Sequence, residues 1–474
     1  MQIYKRLGKG FFYSILGHGG TYLIAFFLAP MYARAMNPEE YAVVGFANSL
    51  RNVLTMLMPM GVGGAVVFFY NQKYKDIKEQ RKNIGGIAVL CFFYSLVWFL
   101  IYSAVGKIVI EKIFGSIGLP FYPYGFLIGL SAFLISFSTV PTALFIAKEK
   151  IALNTIIQSA FGLTQVCLII LFVVYFKKGA KGQIVAVFLG ALLFLIVYYY
   201  FLIKDTTFSI DLKLFKNVSK FAIPLLPHTL FMWVLNLSDR MVISYYGKEY
   251  LKDLGFYSFG YAVGMVMQGV VGAFTSIWSP VFMSETGKSD DAKSVLGKAA
   301  SYSIFFLSLC AGGLILFSKE AIVILSSGRY EESAKYVSPV VLGYLFQGLY
   351  SVPGMTFYRL KKTYFFPLIT GVSAVTNITI NFYGIPRWGV MTAAWATAAG
   401  FFVMAFLSFI LGHFRYPLCY RLAPLILSAA MMAGAFFLAY SPKVGLAWKI
   451  LMLLTAAIIG GFFWLKDRKE DEKF

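Results

Sequence analysis

The sequence predicts an all-α polytopic membrane protein of about fourteen transmembrane helices, built as two six-helix lobes in parallel pseudo-repeat plus two C-terminal helices. Three observations carry this expectation. Of the 474 residues, 59% are apolar and only 13% are charged, about half the ~25% usual for soluble domains. The apolar residues run on for the ~20 positions that a spanning helix needs, without the alternation of a barrel strand. Two stretches also recur at a spacing of roughly 210 residues, which marks an internal duplication. Together they exclude a soluble enzyme, a nucleic-acid binder and a disordered chain. The net charge of +21 sits in short gaps between apolar runs, where it orients the helices and attracts anionic lipid heads.

The apolar segments lie at 10–33, 43–69, 84–104, 121–146, 153–176, 183–203, 218–244, 255–282, 299–318, 337–358, 364–385, 388–412, 421–440 and 446–465. Lys5, Arg6 and Lys9 before the first segment, and Ala33-Arg34-Ala35 after it, imitate a signal peptide. The run is longer than the 7–15 residues of a signal core, so it is expected to stay as the first helix. With the N-terminus on one side, 26 of the 42 Lys and Arg residues fall on that side and 14 on the other. That bias places both termini in the cytoplasm. Every connecting stretch is too short to fold independently. No P-loop, HExxH or GxSxG pattern is present, so no enzyme activity, cofactor or metal is expected. Cys91, Cys167, Cys310 and Cys419 have neither metal nor redox spacing and read as small packing residues.

Phe11-Phe-Tyr-Ser-Ile-Leu-Gly-His18 aligns with Phe221-Ala-Ile-Pro-Leu-Leu-Pro-His228, and Gly45-Phe-Ala47 with Gly260-Tyr-Ala262. Segment one therefore matches seven and segment two matches eight. An even number of helices separates the partners, so both halves face the same way. The expected domains are an N-terminal lobe at 1–204, a cytoplasmic linker at 205–217, a C-terminal lobe at 218–412, and two further helices with a charged tail at 413–474. Two such lobes around a cleft are the usual build of an alternating-access transporter.

Ionisable groups inside a bilayer cost roughly 2.5–3.5 kcal/mol on insertion scales and usually face a cavity. Arg51 is expected about 12 Å into segment two, with Asn48 and Thr55 one turn to either side on the same face. Asp239 and Arg240 lie near the outer end of segment seven; as helix neighbours they diverge and need separate partners. His18 and His228 hold repeat-related positions. Pro224 and Pro227 are expected to bend segment seven, and Gly17 and Gly19 to loosen segment one at matching depth, giving two hinges for a gate. The buried formal charge is one net cation, which suits a phosphate or pyrophosphate.

The stretch Phe221-Ala-Ile-Pro-Leu-Leu-Pro-His-Thr-Leu-Phe-Met-Trp-Val-Leu-Asn-Leu-Ser-Asp-Arg240, followed by Gly255-Phe-Tyr-Ser258, resembles the polysaccharide-transporter (Wzx-type O-antigen flippase) family. The shared pattern is G-x-P-x-x-P, a Trp, S-D-R, then G-x-Y-S; Ala222 stands where the first Gly is usual. Glu40-Tyr41, Gly45 and Gly61 resemble the matching stretch of the first lobe. The family belongs to the multidrug/oligosaccharidyl-lipid/polysaccharide (MOP, MATE-like) superfamily. The resemblance implies a flippase moving undecaprenyl-diphosphate-linked oligosaccharide across a bacterial cytoplasmic membrane for O-antigen, capsule or exopolysaccharide. Its partners would be that glycolipid, membrane lipids and a polysaccharide polymerase. Asp239 and Arg240 match the family's Asp-Arg positions.

Three rival readings remain open on sequence. A cation-coupled multidrug exporter would depend on Asp239. A lipid II flippase would share the fold. A membrane glycosyltransferase or polymerase would use acids in an outer loop, where Glu39 and Glu40 lie.

Overall fold

The computed structural model describes residues 28–70, 76–286, 292–441 and 445–471. These are helical with short connections, and no strand occurs among them. Eleven helical stretches are long and apolar enough to cross a membrane, or twelve when one bent pair counts as a single span. The expected fourteen are therefore not reached among the described residues. Segment one lies mostly outside them, with only residues 28–35 described as helix. Segment ten forms the helix Ala334–Arg359, but it does not qualify by apolarity. Most of its side chains are covered by protein, and a helix surrounded by protein has no need of the uniformly apolar surface that lipid demands.

Packing divides the chain into two compact units. One is Arg34–Ser258. It contains α1 (Pro38–Leu57), α2 (Val62–Tyr70), α3 (Ile77–Lys107), α4 (Phe126–Ser136), α5 (Thr139–Ala147), α6 (Ile151–Ile169), α7 (Gly179–Asp205), α8 (Leu212–Ala222) and α9 (Leu226–Tyr246). The boundary falls within α10 (Leu251–Gly264). This cut differs from the lobes that the repeat suggests, because α8 and α9 pack with the helices before them: α8 lies on α2 and α3, and α9 on α1.

Helix α1 is the spine of this unit and packs on α4, α7 and α9. Its start is sharp. The Asn37 side chain accepts from the Glu40 N–H at 2.8 Å, the Glu40 carboxylate accepts from the Asn37 N–H at 3.3 Å, and Pro38 opens the first turn. A capping box with proline at N1 satisfies the first amide donors, so the helix begins before its apolar run. It breaks at 58–61, where Met60 (φ 45°) and Gly61 (φ 74°) are left-handed. A Cβ on Gly61 would stand 2.9 Å from the Ala222 carbonyl oxygen. Just beyond Ala222, the chain bends by 46° between α8 and α9. Pro224 lies in the tight turn between them and Pro227 in the first turn of α9. A proline removes a backbone donor and crowds the preceding turn. The break expected in segment seven is therefore present at the expected residues, and it abuts the break in segment two.

The second unit holds residues 28–33 with the described part of 259–474. Its helices are α11 (Val266–Glu285), α12 (Ala292–Leu316), α13 (Ser318–Ser326), α14 (Ala334–Arg359), α15 (Phe365–Trp388), α16 (Met391–His413), α17 (Leu422–Tyr440) and α18 (Leu446–Asp471). Helix α14 is central, packing on α11, α12 and α16. Trp278 donates to the Val352 carbonyl at 3.3 Å, and the Tyr344 and Tyr261 hydroxyls meet at 3.0 Å. The last two helices are fastened by Lys449 to Glu320 at 2.6 Å and Arg421 to Asp467 at 3.6 Å.

The repeat-related glycines act alike, each within its own unit. A Cβ on Gly45 would meet the Ser258 hydroxyl at 2.4 Å, and one on Gly260 the Ser333 carbonyl at 2.4 Å. Both mark places where another segment presses against a helix backbone.

Candidate functional site: a polar cavity on helix α1

The residues on the cavity side of α1 recur as Asn48, Arg51, Asn52 and Thr55, one stripe at helical spacing. Opposite them stand Gln165, Phe161 and Ile169 of α6, Gln183 and Val187 of α7, and Ile135 of α4. They enclose about 340 Å³, within the range of small-molecule pockets. Because α1 begins at Pro38, Arg51 is about 20 Å from the helix start at 1.5 Å per residue. Counted from the start of the apolar run at residue 43, the same residue is about 12 Å along the helix, as expected. A charged side chain inside an apolar span usually faces a cavity, and Arg51 lines this one.

The cavity offers one cation and four amides. An arginine fork matches phosphate oxygens with two parallel donors. Amides present both donors and acceptors, the complement of hydroxyl groups. Gln165 spends one donor on the Val187 carbonyl at 3.2 Å. The Gln183 carbonyl oxygen is buried with no hydrogen-bond partner among the described residues, a state that costs free energy until a donor arrives. Thr55 turns its hydroxyl back onto the Arg51 carbonyl at 2.8 Å. Asn52, Gln165 and Gln183 escape a sequence search confined to ionisable groups. The signal that would have found them is an amide inside an apolar run, and for Asn52 the four-residue step from Asn48.

Asp239 and Arg240 lie elsewhere. Neither lines this cavity, and both are buried, at 0% and 5% exposure. Asp239 accepts a 2.5 Å hydrogen bond from the Tyr257 hydroxyl on α10. The Arg240 guanidinium stands 5.6 Å from the Tyr257 ring centre and donates to the Asn236 carbonyl at 3.4 Å. Tyr41 of α1 lies within the field of Arg240. Trp233 of α9 donates to the Ser49 carbonyl of α1 at 3.3 Å. A Cβ on Gly255 would stand 1.8 Å from the Pro38 carbonyl oxygen. The Trp, Ser-Asp-Arg and Gly-x-Tyr-Ser elements thus form one joint holding α9 and α10 on α1. The two residues share Tyr257, whose hydroxyl serves Asp239 and whose ring lies near Arg240.

His228 is half-buried in the first turns of α9, beside the exposed Pro224 and Pro227, and it does not line the cavity. His18, Gly17 and Gly19 lie outside the described residues. Glu40, an acid of the enzyme alternative, is engaged in the capping box of α1. No group of three or more His, Cys, Asp or Glu side chains suited to a metal occurs among the described residues.

The described residues thus form a polytopic all-helical membrane fold with a polar cavity inside one unit. Residues 7–285 match the family of polysaccharide biosynthesis proteins, and the chain belongs to that family. Among solved structures, it is similar to the lipid II flippase MurJ in an inward closed conformation, with TM-score 0.77 and 15% identity over 97% of this chain and 99% of that one. It is also similar to a multidrug resistance MATE family transporter of the MOP superfamily. The inward-facing form gives TM-score 0.66 and 15% identity, covering 84% of this chain and 94% of that one. The outward-facing form gives 0.57 and 17%, covering 85% and 94%. No curated protein matches the sequence. At these identities the likeness establishes a MurJ- and MATE-like fold.

Proposed function

We propose that this protein is a flippase for an undecaprenyl-diphosphate-linked oligosaccharide, moving it across a bacterial cytoplasmic membrane for surface polysaccharide assembly. The observation that carries the reading is Arg51 in a cavity lined by amides. The arginine holds the diphosphate, and Asn48, Asn52, Gln165 and Gln183 exchange hydrogen bonds with sugar hydroxyls. The polyprenyl tail stays in lipid. Membership of the polysaccharide biosynthesis family supports a glycan cargo, and likeness to a flippase of lipid II supports a lipid-linked one.

Transport by alternating access requires helices that bend. The break at 58–61 in segment two and the Pro224–Pro227 break in segment seven supply two such points in contact with each other. Asp239 and Arg240 support transport by holding α9 and α10 on α1, upstream of any direct contact with cargo. Both termini are cytoplasmic in this reading, and a polysaccharide polymerase receives the flipped glycolipid.

The test uses the purified chain in liposomes carrying a fluorescent polyprenyl-diphosphate oligosaccharide. Wild type is expected to expose the label to an outside quencher, and Arg51→Ala to lower diphosphate affinity about ten- to a hundredfold, the worth of a charge-assisted hydrogen bond. Failure to move any polyprenyl-diphosphate saccharide defeats the proposal. Movement of lipid II in preference to other glycans reassigns the cargo.

A further inference from the structure

The stretch between α7 and α8 is extended, with Thr206 at φ −135° and Asp211 at φ −137°. It is laid directly on the start of α3. The Thr207 N–H donates to the Arg81 carbonyl at 3.1 Å, and the Ser209 hydroxyl to the Lys82 carbonyl at 2.9 Å. Gly85 and Gly86 make room beneath: a Cβ on Gly85 would meet the Thr207 carbonyl oxygen at 2.1 Å, and one on Gly86 the Leu214 side chain at 2.8 Å.

Two consequences follow from this docking. Phe208 and Ile210, two residues apart on an extended chain, share a face and join Phe92, Phe137, Ile196 and Tyr199 in walling a groove of about 870 Å³. The groove is almost wholly apolar in its lining, and Ser209 is its polar rim. The same contacts set the backbones of Arg81 and Lys82 beside Thr207 and Ser209, and Lys204 lies two residues beyond the lining residue Leu202, in the last turn of α7. These three basic residues are exposed and in no ion pair among the described residues. The acids nearby are largely engaged. Asp205 is paired with Lys148 at 2.8 Å, Asp211 caps α8 through the Lys213 and Leu214 amides, and Asp76 caps α3; Glu79 is the remaining one. Helix α8 continues the pattern, with Leu214, Val218 and Ala222 buried and Lys213, Lys216 and Lys220 exposed. Its apolar face packs on α2 and α3, so the three lysines are on the face it leaves exposed.

We propose that this groove is a binding site for an anionic phospholipid, distinct from the Arg51 cavity. One acyl chain occupies the groove between α3, α7 and residues 208–210, and the phosphate rests on Arg81, Lys82 and Lys204. The charge excess at the mouth commits the site to an anionic headgroup, since each basic residue near a lipid surface favours anionic lipid by about fivefold. Bound there, the lipid pins the linker against α3 at the base of the bend that leads into α9.

The test is native mass spectrometry of the full chain in detergent, titrated with dioleoyl-phosphatidylglycerol or dioleoyl-phosphatidylcholine. Wild type is expected to retain at least one phosphatidylglycerol more tightly than phosphatidylcholine, by tenfold or more. The triple variant R81Q/K82Q/K204Q is expected to lose that preference, and Ile210→Asn to weaken both lipids about equally. All four positions are exposed, and unchanged thermal unfolding verifies that the variants fold. Equal retention of the two lipids by wild type, or full preference in the triple variant, overturns the proposal. Because the readout is lipid retention and not transport, this result stands apart from the flippase test.

Discussion

Arg51 and Arg240 are both cations on helices of an apolar membrane protein, in the same packing unit, yet they occupy opposite kinds of surroundings. Arg51 is half-buried and opens on a cavity of about 340 Å³ among amides. Arg240 is 5% exposed and sits among Asn236, Tyr257 and Tyr41, one residue from the fully buried Asp239. A charge that borders a cavity gives up less of its solvation than one enclosed on all sides. A charge sealed among aromatic rings and carbonyls has its solvation replaced by fixed partners, and removing a partner leaves it uncompensated. Position within an apolar segment therefore does not separate the two arginines; the cavity beside Arg51 does.

This contrast is open to test by mutation, beginning with the joint. Asp239→Ala removes the buried carboxylate that accepts from the Tyr257 hydroxyl. It is expected to cost about 3–5 kcal/mol, seen as loss of monodisperse protein and a large drop in the midpoint of thermal unfolding in detergent. Gly255→Ala, whose added carbon would stand 1.8 Å from a backbone oxygen of Pro38, is expected to cost about 3 kcal/mol by overpacking. Gly272→Ala, with nothing within 4 Å, is the control and should leave the midpoint unchanged or raised. Tyr257→Phe removes one hydrogen bond to a carboxylate and should cost about 2 kcal/mol; an unchanged midpoint would mean that Asp239 is held by other groups. The smallest effect on stability belongs to Arg51→Ala, within ~1 kcal/mol of wild type, although it should weaken diphosphate binding about ten- to a hundredfold and slow glycolipid movement. If Arg51→Ala unfolds the protein while Arg240→Ala leaves it intact and inactive, the roles assigned to the two arginines are reversed.

The sequence reading shows where such distinctions become invisible. Apolar runs locate the helices well, since a spanning helix must satisfy its backbone internally and face lipid with apolar side chains. The helix boundaries are less legible. Segment two begins at Pro38, ahead of its apolar run, because Asn37 and Glu40 cap it. The polar stripe Asn48, Arg51, Thr55 follows from the 3.6-residue period, and the structure adds Asn52 to it. Its partners Gln165 and Gln183 come from helices remote in sequence, and no local pattern states which helices will face one another. The motif around Asp239 and Arg240 advertises a site by its charges. Packing makes it a joint, because Gly45 and Gly255 let the neighbouring segments approach closer than a Cβ would allow.

Composition and the spacing of apolar residues are enough to determine that this chain is a helical membrane protein with several spans and few charges to place inside them. Those properties follow from transfer free energies, which act on each residue separately. Which charge borders a cavity, which is sealed, and where an extended linker closes a groove were decided only when the helices packed. They depend on the simultaneous position of side chains far apart in sequence, held by contacts such as Tyr257 on Asp239, Trp233 on Ser49 and Thr207 on Arg81.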